Sequence, residues 1–176
     1  SIHNDIGHDD IGCIKASLTK AGYGVDTVLG TNANGDLINT GQIALLHMTD
    51  DLLDHTYGVF YFAGHGFTLG VKGELHGLEF GPVDLADPVV HEVLGDQDPT
   101  NDKPDLRHRL AQSIADEAGL NWDPDNPSIN VIVSDEGWPV VVVYPQYFTQ
   151  VQAQGASFAH SLVWINACSS AVSYSN

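Results

Sequence analysis

Two apolar runs that do not alternate with polar residues constrain this chain most. Tyr57 to Gly66 reads YGVFYFAGHG and Leu162 to Ala171 reads LVWINACSSA. Val59, Phe60, Tyr61 and Phe62 in the first, and Leu162, Val163, Trp164 and Ile165 in the second, are β-branched, aromatic or aliphatic without a polar face. Such runs suit strands of a parallel sheet covered on both sides. Each ends in a reactive side chain, His65 in one and Cys168 in the other. Gly64 and Gly66 flank the histidine and predict a turn that presents its imidazole at the strand's carboxyl end. Ligands gather at that rim in open parallel sheets, where a thiol and an imidazole would meet.

The segments between these runs predict an α/β chain. Asp9 or Asp10 caps a helix through Ile11, Ile14, Leu18 and Ala21, which share one face. Gly22 ends it, and Gly24–Leu29 reads as a short strand. The turn-rich stretch GTNANGDLINT, 30–40, leads to a second helix whose buried candidates are Ile43, Leu46, Leu52 and Leu53. Beyond His65, residues 67–85 predict a small hairpin. A third helix is expected from Asp105 to Ala118, a second hairpin from Ile129–Val133 with Trp138–Tyr144, and a short helix over 146–154. No internal repeat or low-complexity segment is present.

Composition narrows the function. The 176 residues fit one domain with a sizeable core. Six basic against 23 acidic side chains give a formal charge of −17, which argues against nucleic acid as a partner. No run approaches the roughly 18 apolar residues of a membrane helix. Two cysteines, Cys13 and Cys168, are too few for a disulfide framework, and Cys13, beside Ile14 on the first helix, is expected to be packed and inert. The bias to Asp, 18 residues against five Glu, suits a salt-adapted cell, calcium binding or simply a solvated surface. It leaves an extracellular or a cytoplasmic setting equally compatible. Asp96, Asp98, Asp102, Asp123 and Asp125 are calcium candidates, and Asn32, Asn34, Asp36 and Asn39 loosely follow a calcium loop with too few acids for the EF-hand pattern. His76, His91, His108 and His160 lack zinc-ligand spacing and read as surface or structural histidines.

A histidine-glycine turn after one apolar strand and NACSSA after another resemble the caspase-like cysteine peptidases, a group that includes caspases, metacaspases, legumain-type and gingipain-type peptidases and the CHAT domains. The order of helix, GYGV, helix and FYFAGHG upstream is similar too. The resemblance implies a three-layer α/β fold with a mainly parallel sheet, His65 as catalytic histidine and Cys168 as nucleophile. It further implies an oxyanion site of backbone N–H groups near Gly66 and Cys168, a peptide or protein substrate, and no required cofactor. Asn166 stands where metacaspases carry an acidic substrate-binding residue, and being uncharged it gives no support for Arg or Lys specificity. Two departures stand out. The chain runs only eight residues past Cys168, and His65 precedes it by 103, about double the spacing in caspases. The spacing implies an insertion at about 95–150. The short ends imply that the first and last strands of the fold are missing or supplied by a second chain. The alternative expectation is a catalytically inactive member serving as a binding or structural module.

Overall fold

A computed structural model describes residues 3–30, 37–54, 56–69, 75–100, 103–134, 137–158 and 161–168. Among these, five helices, α1 (His3–Lys20), α2 (Gly41–Asp54), α3 (Pro88–Leu94), α4 (Pro104–Glu117) and α5 (Pro145–Ala153), accompany one sheet. Its strands are β1 (Val59–Leu69), β2 (Leu75–Pro82), β3 (Ile129–Val133), β4 (Pro139–Val143) and β5 (Leu162–Cys168), in the order β3-β4-β2-β1-β5. The α/β class follows the sequence, but the sheet is mixed. Only β1 and β5 run parallel, whereas β1–β2, β2–β4 and β3–β4 are antiparallel. The short links after β1 and β3 dictate this, because a parallel crossover needs a dozen residues or more.

Local chemistry explains the helix starts. α3, α4 and α5 each carry proline in the first turn, where the missing N–H costs nothing. Asp87 caps α3 by accepting the N–H groups of Val89 and Val90 at 2.8 and 3.3 Å. α2 docks so closely on β2 that a Cβ on Gly41 would sit against the Gly81 carbonyl oxygen. Gly81 itself takes φ 120°, at an irregularity in β2 pairing between Glu79 and Gly81.

The main core joins Leu45 and Met48 of α2, Val90 of α3, Leu110 and Ile114 of α4 and Tyr147 of α5 to Val141 and Val143 of β4. The alternate β4 residues, Val140 and Val142, pack with Phe67 and Tyr144 in a small cluster on the other face. Four of the helices thus share one core.

Several expectations are corrected at the level of single elements. Gly24–Leu29 forms no strand. It is an irregular segment tied down by side chains, Lys15 Nζ donating to Thr27 Oγ1 at 3.0 Å and Tyr57 Oη to Asp26 Oδ2 at 3.3 Å. The expected hairpin of β3 and β4 exists, but it is no excursion from the sheet: β4 lies between β3 and β2. In α2 the buried face is Ala44, Leu45, Met48 and Leu52, which leaves Ile43 exposed. In α1, Ile11, Ile14 and Leu18 are only half-buried, Ala21 is exposed, and Cys13 is an exposed free thiol rather than a packed one.

Candidate active site

The two sequence motifs meet in the β1–β5 ladder. Pairing runs without a shift from Val59 opposite Leu162 to His65 opposite Cys168. The ladder is anchored at its entrance, where Leu162 N donates to Gly58 O at 2.9 Å and Ser161 Oγ donates to the Tyr57 carbonyl. Neighbouring strands lie about 4.8 Å apart, so the backbone positions of His65 and Cys168 are directly opposed at that spacing. Asn166 is opposite Ala63, two positions earlier in the same ladder. The chain thus returns in register 103 positions later.

His65 does not end its strand. β1 continues to Leu69: among the described residues, Val59–His65 pair with β5 on one edge and Gly66–Leu69 pair with β2 on the other. Neither Gly64 nor Gly66 is among the glycines of positive φ, so the expected turn is absent. Gly66 is buried opposite Leu78. Gly64 has a different use. A Cβ there would crowd the ring of Phe62, and glycine lets that ring lie along the strand.

His65 is exposed and opens onto a cleft of about 340 Å³. The walls come from β1, from Glu79–Gly81 of β2, from residues 28–30, and from α2. Asp26, Asp51 and Glu79 contribute carboxylates, and among the described residues that line it there is no lysine or arginine. Tyr57, at one end, has its phenol pushed up to about 12, chiefly by burial and then by the charges of Asp51 and Asp26. These acids come from three separate elements and carry no common motif. Only the observed topology brings them together.

The remaining candidates stay dispersed. Among the described residues no group of three or more His, Cys, Asp or Glu is placed to hold a metal ion. Asp98 accepts the backbone N–H and hydroxyl of Thr100 at 2.9 and 2.7 Å, and these bonds hold its carboxyl below the usual range. Asp123 accepts Asp125 N at 2.9 Å. Both aspartates shape exposed turns, as Asp side chains commonly do. Asp96 is exposed nearby, and Asp102 lies outside the described residues. Asn32, Asn34 and Asp36 also lie outside them, and Asn39 donates to Leu29 O at 2.8 Å. His76 and His91 are exposed, His108 sits 5.6 Å from the ring of Trp122, and His160 lies outside the described residues. Comparison of the chain with protein-family models, curated proteins and solved structures returns no match.

Proposed function

We propose that the chain is a cysteine endopeptidase of the caspase-like type, with Cys168 as nucleophile and His65 as its acid/base partner. One observation carries this reading: the histidine and the cysteine are ladder partners on adjacent parallel strands. A neighbouring imidazole favours the thiolate, the form that attacks. In the proposed reaction the Cys168 sulfur bonds to a peptide carbonyl carbon and the oxygen takes the electron pair. The C–N bond then breaks as His65 gives its proton to the leaving amine. Water, deprotonated by His65, hydrolyses the thioester and regenerates the thiol. Backbone N–H groups of Gly66 and Cys168 are the candidate donors to the oxyanion. Asn166, in the same ladder, is the candidate substrate contact, and the substrate is a peptide or protein. The competing reading is an inactive caspase-like module that binds or scaffolds, favoured by the position of His65 within a strand rather than at its end.

The test is alkylation by iodoacetamide across pH. Because Cys13 is exposed, the measurement is made in a Cys13→Ala background. Cys168 is expected to react at neutral pH faster than a free thiol, and His65→Ala to slow it by about tenfold or more. An unchanged rate in His65→Ala removes the peptidase assignment and leaves the binding module.

A further inference from the structure

His65 has a neighbouring strand on each side, because β1 lies between β5 and β2. On the β5 side its ladder partner is Cys168. On the β2 side the last pair towards His65 is Gly66 opposite Leu78, so the next position of that register sets His65 opposite Glu79. There the two strands part, because β2 follows β4 through the irregularity between Glu79 and Gly81. His65 and Glu79 thus stand on either side of the apex of a fork, and both border the cleft that opens from it.

Alternation puts the two side chains on one face of the sheet. His65 is two residues from Phe67, Glu79 is the ladder partner of Val142, and Phe67 and Val142 belong to the same small cluster. Residues opposed across neighbouring antiparallel strands have Cβ atoms about 5 Å apart, a gap that a glutamate and a histidine close by choice of rotamer. The other carboxylates of the cleft serve its far end. Asp26 accepts from Tyr57 Oη, and the Tyr57 phenol is raised first by burial and then by Asp51 and Asp26. Val59, just after Tyr57, is already roughly 20 Å of strand from His65, which leaves Glu79 as the acid at the histidine's end.

We propose that Glu79 is the positioning residue for His65: its carboxylate accepts one imidazole N–H and leaves the other ring nitrogen to exchange a proton with Cys168. This role rests on the peptidase reading. When Cys168 gives its proton to the ring, the imidazolium presents an N–H to a carboxylate, which favours the thiolate form. The same contact fixes the tautomer, as a carboxylate beside a catalytic imidazole does elsewhere. His65 is exposed and Glu79 half-buried, so such a pair adds little to folding and its effect falls on reactivity.

The experiment follows alkylation of Cys168 by iodoacetamide at neutral pH in the full chain carrying Cys13→Ala, with His65→Ala and Glu79→Gln singly and together. Glu79→Gln is expected to slow alkylation by about fivefold, since a charged acceptor becomes a neutral one, and Glu79→Asp to recover most of the rate. In the double variant Glu79→Gln should add nothing to the loss from His65→Ala, because the carboxylate acts through the ring. In a chain carrying Cys168→Ala, nitrogen-15 spectra should show the neutral ring of His65 in a single tautomer, and Glu79→Gln should mix the two. An unchanged rate or an unchanged tautomer in Glu79→Gln overturns the proposal. So does a Glu79→Gln loss that persists in full on the His65→Ala background, which gives Glu79 a purely structural role. If His65→Ala itself leaves alkylation unchanged, the peptidase reading fails and this role falls with it. If only Glu79→Gln does so, the role fails alone and the reading stands on His65 and Cys168.

Discussion

Two buried tyrosines illustrate how little separates a stabilising hydroxyl from an idle one. Thr49 Oγ1 donates to Leu45 O at 2.8 Å, so its single proton is committed, and Tyr147 Oη, 2.9 Å away, must be the donor between them. Tyr144 Oη is equally buried and makes no hydrogen bond within normal geometry among the described residues. Asn130 is near enough to temper its shift, but its Oδ1 accepts the Val131 N–H. Tyr147→Phe is therefore expected to cost about 1 kcal/mol, while Tyr144→Phe is neutral or stabilising, as urea titration would show. Burial pushes the Tyr144 phenol up to about 12, against a usual value near 10. The unfolded chain then loses that proton first as pH rises, so the stability tied to the neutral phenol is intact below about pH 10 and drains away towards pH 12. Tyr144→Phe should flatten the alkaline limb of a stability profile, and an unchanged limb would show that other groups control it. Neither contrast was legible in the sequence, where both residues are aromatic neighbours of Pro145.

At the scale of elements, hydrophobic run and helix period were legible, and partners were not. β1 and β5 were readable as neighbours because each is a non-alternating run ending in a reactive residue. α4 was readable because Leu106, Leu110 and Ile114 repeat every four residues. α3 was missed although Asp87-Pro88 is a recognisable cap and first turn, its seven residues being too few for a visible period. The supposed strand at 24–29 failed for a different reason. Strand propensity needs a partner to become a strand, and the slot between this segment and β1 is a cleft. The contact of α2 with β2 gives a sharp test: Gly41→Ala should destabilise by about 1–3 kcal/mol, because the backbone at Gly81 cannot rotate away as a side chain would. Thermal melting would register this as a drop of roughly 2–4 °C per kcal/mol. Ser161→Ala removes one of the two bonds at the entrance of the β1–β5 ladder and should cost about 1 kcal/mol. If the same substitution also slows Cys168 alkylation, register and reactivity are linked.

For the molecule as a whole, charge was legible from composition and architecture only in part. A formal charge of −17 on 176 residues favours expansion, so adding sodium chloride from roughly 20 to 300 mM should raise the melting temperature. A flat response would mean that the acids are already compensated locally. The mixed sheet could not be anticipated from apolar runs, since β4, five buried residues reading PVVVV, looks the same whether it belongs to a hairpin apart or to the sheet interior. β5 is the outer strand among the described residues, with Leu162, Val163 and Ile165 each about half exposed. Val163→Lys should raise the concentration at which the chain begins to associate, as charges on edge strands generally do.

The return of the chain across 103 residues to oppose His65 and Cys168 also has a consequence in time. β1–β2 and β3–β4 close over short links, and β2–β4 over about 60 residues, so β1–β5 carries the largest loop-closure entropy among these pairings. Long-range pairings of this kind are slow to form. A chain emerging during synthesis presents β1 long before β5, so the hairpins have time to assemble before this pairing forms. Chemistry that needs both side chains would then wait for this pairing, and a chain folded only through its hairpins would be inert.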